Sequence, residues 1–214
     1  MPLSDQHAAD LTSSYYVLFD TAHVWNDIPG QASVLAVHVE RDLAAGAFEV
    51  DFTFQPLVAM AQRWLVERGA DPARFTDLVP ITAADRETER VEDLLRAAGP
   101  DRFTVHDQYT YDAEPYDIWV IATDTLAVES DRPVRVFHEQ RQVDADTYTL
   151  REGHFATIDD AQAWTADPSS PLPQASPSPS ARAAAARHTT AATGSVVSAT
   201  PPLPPPGPSR RRAR

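Results

Sequence analysis

Three histidines, His38, His106 and His138, each fall in a stretch of alternating apolar and polar residues, and each lies next to or two residues from a carboxylate: Glu40, Asp107 and Glu139. Imidazoles on neighbouring strands can meet on one sheet face and hold a divalent metal, or one can act as a general base that a carboxylate orients. Side chains alternate along a strand, however, so Asp107 and Glu139 are directed to the face opposite their neighbouring histidines. No compact ligand spacing joins the three. Half-exposed histidines on a polar strand face are the commoner arrangement, and neither a metal nor another cofactor is expected.

The stretch YTYDAEPYD interleaves Tyr109, Tyr111 and Tyr116 with Asp112, Glu114 and Asp117 across a predicted hairpin. Tyrosines offer flat amphipathic contact area and the acids a negative field, which together suit recognition of a basic partner. The plainer alternative is a solvated hairpin whose tyrosines brace the strands. In DTAHVWND, with Asp20 and His23, Trp25 can wall a ligand loop, since loops carry function disproportionately. The alternative is a tryptophan tucked into the core.

Several chemistries lack their residues. The chain has no cysteine and no lysine, which removes thiolate metal sites, cysteine nucleophiles, disulfides and Schiff-base chemistry. There is no phosphate-cradling GxxxxGK[ST], no GxGxxG, no GxSxG and no HExxH.

Charge divides the 214 residues unevenly. Residues 1–166 carry 12 arginines against 30 acids, a charge of −18, whereas residues 167–214 carry six arginines and one acid, a charge of +5. An acidic body repels phosphate and forgoes the counterion release that drives nucleic-acid binding. The final stretch holds 11 of the 19 prolines and no aromatic residue, too little apolar surface to offset ordering, so it reads as a disordered tail. It closes on Arg210, Arg211, Arg212 and Arg214, which can contact the acidic body, an anionic partner or, through PPGPSR, a polyproline-binding groove. No stretch reaches the roughly 18 apolar residues of a membrane span, and the N-terminus lacks the charge and apolar core of a secretory signal, so a cytoplasmic protein is expected.

The elements that must position these residues follow from period. AFEVDFTF places Phe48, Val50, Phe52 and Phe54 on one face of a half-buried strand, after strands at 15–20 and at 33–40 with Leu35, Val37 and Val39 inward. Helical spacing then sets Leu57, Met60, Ala61, Trp64 and Leu65 on one stripe, with Gly69 as the stop. Further helices are predicted over 71–79 and 82–98. Strands return at 102–110, 116–123, 133–140 and 147–152, and a last helix starts at Thr157. The stretch GHFATIDDAQAW resembles the strand end and helix start of the small arm-binding domains of tyrosine recombinases. Those domains are basic where Asp159 and Asp160 stand, so no function or site residue is carried over.

The expected fold class is therefore α+β, antiparallel strands in the order βββ-ααα-ββββ-α with helices packed on the sheet. Residues 1–12 read as a flexible N-terminus, 13–166 as the globular region, divisible into 13–99 and 100–166, and 167–214 as the tail. The repeated order of strands then helix suggests an internal duplication, with no shared residue string found to support it. The functional expectation is a non-enzymatic protein that binds another protein, with a basic partner suited to its acidic surface. The alternative is a small hydrolase-type enzyme using histidine and carboxylate residues, with or without a divalent metal.

Overall fold

Alternating apolar residues build the longer strands between Ser13 and Pro56 and after Pro100, and stripes at helical spacing build the helices. The computed structural model describes residues 1–21, 30–77, 81–111, 116–127 and 129–175. In chain order these form β1 (Pro2–His7), β2 (Ser13–Phe19), β3 (Val34–Asp42), β4 (Ala47–Gln55), α1 (Val58–Val66), β5 (Thr76–Asp77), β6 (Thr82–Ala83), α2 (Arg86–Arg96), β7 (Phe103–Tyr111), β8 (Asp117–Asp124), β9 (Val134–Gln142), β10 (Thr147–Phe155) and α3 (Ile158–Thr165). Two sheets result, ordered β4-β3-β2-β1-β5 and β6-β10-β9-β8-β7. Their described pairings are antiparallel except for β6 with β10. The fold class is α+β, and Met1–Ser176 is one compact unit.

Each half is a four-stranded meander that runs into a helix, β1–β4 with α1 and β7–β10 with α3. Laid over one another, β4 and β10 start 100 residues apart, as do α1 and α3. In that register Ala61-Gln62-Arg63-Trp64 lies over Ala161-Gln162-Ala163-Trp164, identical at three of the four positions. Ala61 and Ala161 are both fully buried where their helices meet a sheet, and small residues there let helix and sheet approach closely.

Four sequence expectations shift. The supposedly flexible N-terminus supplies β1, because its backbone completes the hydrogen bonding of β2 and Phe19 N donates to the Met1 carbonyl at 2.7 Å. Of the helix predicted over 71–79, the described residues 71–77 form none: Asp71 caps only a single 3-10 turn, Pro72–Arg74, and the chain then pairs with β1 as β5, while residues 78 and 79 lie outside the described residues. The helix predicted over 82–98 starts four residues later, since Thr82–Ala83 pairs with β10 and Asp85 caps α2 by accepting from Thr88 N at 2.9 Å. Residues following 166 continue the globular unit as far as they are described. Trp164 Nε1 donates to the Ser170 carbonyl at 2.9 Å, His154 N donates to the Pro173 carbonyl at 2.8 Å, and Leu172 packs so near Gly153 that a Cβ there would meet it at 2.5 Å. Residues 176–214, with Arg210, Arg211, Arg212 and Arg214, lie outside the described residues.

The Asp85 cap also receives the Arg151 guanidinium from β10. The Thr88 amide first, then Arg151, hold the Asp85 carboxyl down at about 2. A depressed folded-state value gives stability that is present above the ordinary carboxylate range and lost as pH falls toward 2. Asp85→Ala is expected to lower the thermal midpoint at neutral pH, with the difference from wild type shrinking on acidification, as read by circular dichroism. An equal loss at every pH would remove the capping carboxylate as the cause.

The two sheets are covered differently. α1 lies on one face of the first sheet, where Tyr15, Val17, Val34 and Ala36 meet Ala61, Leu65 and Ala70. α3 covers one face of the second sheet, joining Ile121, Val134, Val136 and Phe155 to Ala161 and Trp164. The other face of the second sheet, with Val120, Phe137 and Leu150, packs on Val91 and Leu95 of α2 and on Ala59 and Met60 of α1. The second sheet is thus buried on both sides.

The β4 strand forms as predicted but faces the other way. Its polar face turns toward α1, where Asp51 accepts from Arg68 Nε at 2.8 Å, while Phe48, Val50, Phe52 and Phe54 stand 74%, 46%, 61% and 40% exposed. Register enforces this: α1 sits closely over Val34 and Ala36, whose cross-strand partners are Gln55 and Thr53, so the phenylalanines must fall on the far side with Leu35, Val37 and Val39.

Candidate ligand-binding cavity

A cavity of about 320 Å³ opens where α1 and α2 meet the ends of both sheets. The second sheet contributes Thr110 from β7, Ile118 from β8, Glu139 and Arg141 from β9 and Tyr148 from β10. α2 contributes Glu92 and Arg96 from successive turns, and α1 contributes Val58 and Gln62. Leu3, Phe19, Val34 and Pro56 close the apolar side, Ser33 adds a hydroxyl beside them, and Tyr111 and Tyr116 also line the cavity. A volume near the small end of the usual range for ligand pockets, with an apolar side facing a few polar groups, is the architecture of a small-molecule site.

Strand alternation puts Phe137, Glu139 and Arg141 on one face of β9, so the strand that fills the core with Phe137 delivers a carboxyl and a guanidinium to the cavity two and four residues on. Protein atoms surround the Glu139 side chain, and the accessible surface it keeps faces the cavity. Burial, reinforced by the charge of Glu92 and partly offset by Arg141, pushes its carboxyl up to about 8. At neutral pH Glu139 is therefore a neutral acid and a hydrogen-bond donor. Glu92 accepts from the Tyr148 hydroxyl, which holds its carboxylate in place. Arg96 is engaged, donating to Gln62 Oε1 at 2.8 Å and to Asp93 Oδ1 at 2.7 Å.

Three other wall groups are not engaged. Arg141 Nε, Thr110 Oγ1 and Ser33 Oγ are buried with no hydrogen-bond partner among the described residues. Buried polar atoms are nearly always paired, so three orphans around one cavity call for an explanation. Arg141 also makes no ion pair among the described residues, and its guanidinium carbon lies 5.3 Å from the Tyr116 ring centre.

Most residues singled out from the sequence lie elsewhere. Tyr109 points to the opposite side of the second sheet and stacks on Trp119 at 5.8 Å, while Asp117 meets His138 Nε2. Only Tyr111 and Tyr116 of that group reach the cavity, and Trp25, His23, Asp112 and Glu114 lie outside the described residues. His38 stacks on Tyr15 in the first sheet, His106 contacts Thr123 Oγ1 at 2.7 Å, and His138 packs against Trp164, so the three do not converge. No group of three metal-ligating side chains occurs among the described residues.

No family model, no curated protein and no solved structure matches this chain. The cavity must therefore be interpreted from its own chemistry. Protonated Glu139, the Thr110 hydroxyl and the Arg141 guanidinium make a donor-rich wall, to which the Ser33 hydroxyl adds a donor from the first sheet, and the rest of the lining is largely apolar. Such a wall suits an acceptor-rich or anionic head group carried on a compact apolar body. No described helix is long and apolar enough to cross a membrane.

Proposed function

We propose that this chain is a binding protein for a small organic acid, held in the cavity with its carboxylate against Arg141, Thr110, Ser33 and protonated Glu139, and its apolar body against Phe19, Val34, Val58 and Ile118. The observation that carries the reading is the set of unpartnered buried polar atoms, Arg141 Nε, Thr110 Oγ1 and Ser33 Oγ, among the residues that line one cavity. A carboxylate satisfies donors of both kinds and can pair with a guanidinium in bidentate fashion. Contact with a protein partner, the expectation from the acidic surface, becomes secondary to this site.

The test is calorimetric and NMR titration of the full chain with phenylpropionate and hexanoate beside their amides. The acids are expected to bind at least ~10-fold more tightly than the amides, since a charge-assisted hydrogen bond adds about 1.5–3 kcal/mol. Affinity for the acids is expected to hold below pH 8 and to fall by up to about tenfold per pH unit above it, because ionised Glu139 then confronts a second carboxylate. Arg141→Gln should abolish the preference for acids, and Glu139→Gln should flatten the alkaline fall. Equal affinity for acids and amides, or no binding by either, overturns the proposal.

The charge of Glu92 felt at Glu139 favours a second reading, a hydrolase-type enzyme in which Glu139 gives a proton to a leaving group beside the Glu92 carboxylate. Catalytic turnover of an ester of the same acids, lost in Glu139→Gln, would put this reading first.

A further inference from the structure

The open face of the first sheet is the largest apolar feature that the cavity leaves unexplained. Phe48, Val50, Phe52 and Phe54 of β4 lie beside Leu35, Val37 and Val39 of β3, with Tyr16 and Leu18 of β2 beyond them. The corresponding face of the second sheet, reached by adding 100 to Val37 and Val50, holds Phe137 and Leu150, both buried under α2 and α1. The first sheet has the apolar residues of a covered face but no described element on it.

We propose that a second copy of this chain covers this face, the two first sheets packing face to face about a two-fold axis. Three observations select that occupant. The first is area: with roughly 200 Å² for each phenylalanine, the exposed fractions and half-buried neighbours amount to roughly 500–600 Å² of apolar surface per copy. A standard interface buries about 800 Å² per partner, about 65% of it apolar in homodimers, or roughly 520 Å². The second is charge. On β2, β3 and β4 this face, made by Ser14, Tyr16, Leu18, Leu35, Val37, Val39, Arg41 and the four β4 residues, carries no carboxylate, although the chain holds 31 acids; β1 adds one, Asp5 opposite Tyr16, 3.8 Å from His7. Two strongly acidic bodies can approach with least repulsion over these three strands, where neither carries negative charge. The third is geometry: edge-to-edge joining of β4 with its own copy would set Glu49 and Asp51 of the two chains side by side, which like-charge repulsion disfavours, whereas face-to-face packing leaves them outside. Residues 176–214 are a poorer cover, having no aromatic residue and only scattered valine and leucine.

Sedimentation velocity of the full chain is expected to show a species of twice the 23.5 kDa chain mass, with a dissociation constant of about micromolar or tighter. Raising salt should leave it intact or tighten it, since screening removes repulsion between the bodies. Phe52→Asp is expected to raise the dissociation constant at least ~30-fold. Phe48→Asp, at the more exposed position, guards against misfolding, and far-ultraviolet circular dichroism should match wild type for both. A monomeric wild-type chain at concentrations well above micromolar overturns the inference, whatever else covers the face. A dimer that survives both substitutions, with the fold intact, overturns it equally.

Discussion

Asp124→Ala is expected to lower the free energy of unfolding by about 3–5 kcal/mol, because it strands two guanidinium groups that one carboxylate now neutralises. Asp124 ends β8 with its side chain 1% exposed. It accepts from Arg102 Nε and Nη2 at 3.2 Å each, from Arg135 Nη2 at 3.0 Å and from the Leu126 amide at 3.1 Å. Arg102 precedes β7 and Arg135 lies in β9, so this carboxylate ties three strands together at one end of the second sheet. Burial by itself would raise its carboxyl, but the hydrogen bonds of Arg102 and Arg135 outweigh burial and hold it below the ordinary value. The contribution is therefore present above the unfolded-state value of 3.8 and lost as pH falls through the lower folded one. Urea unfolding of wild type and variant should differ most at neutral pH and converge in acid. Asp124→Asn, which keeps one acceptor oxygen, should cost less than the alanine. A variant within about 0.5 kcal/mol of wild type at neutral pH would mean that the two arginines find other partners.

The elements were legible wherever period and punctuation agreed. Pro56, Gly69 and Thr157 bracket α1 and start α3 as their types dictate, and Gly69 takes φ +98°, the left-handed value that favours glycine. Pairing over a distance was not legible. Residues 2–7 carry no alternating apolar pattern, and they become β1 because β2 offers them a hydrogen-bonding edge. Residues 76–77 and 82–83 become strands for the same reason, against weak local preference. The direction of the β4 face was hidden because alternation identifies two faces without saying which meets the core. The choice was made by Val34 and Ala36 on the adjacent strand, which admit α1 more closely than the bulkier Leu35, Val37 and Val39 do.

The cavity was obscured by the same two-sidedness. In VRVFHEQRQ the residues Arg135, Phe137, Glu139 and Arg141 share a face that looks solvated, whereas Val134, Val136 and His138 look inward. A strand buried on both sides breaks that contrast, and here α2 buries the charged side as well. One signal was present. Glu92 and Arg96 follow directly after Val91 and Leu95, so on a helix they border the buried stripe of α2, and charges at that border either snorkel outward or face a shared cavity. The histidines drew attention to β9 for the wrong residue: His138 packs beneath α3, while its neighbour Glu139 enters the site.

Glu139→Gln should make the chain more resistant to alkaline conditions. The Glu139 carboxyl lies at about 8 in the folded protein against 4.5 when unperturbed, because burial and the Glu92 charge oppose its ionisation more than Arg141 favours it. A folded-state value above the unfolded one means that, between pH 4.5 and 8, the folded chain keeps a proton that the unfolded chain has released. Stability attributable to this group is thus highest below pH 4.5, falls across that window and levels off above pH 8. At about 1.4 kcal/mol per unit the total loss is roughly 3–5 kcal/mol. Glutamine has nearly the same shape, donates from its amide as protonated Glu139 does, and cannot ionise. The variant should therefore match wild type in mild acid and exceed it by a few kcal/mol above pH 8, measured by urea unfolding across the range. Identical pH dependence in the two proteins would show that ionised Glu139 is relieved by water or by a turn toward Arg141. In that event the cavity would present a carboxylate at neutral pH, and its preference would move from organic acids toward amines.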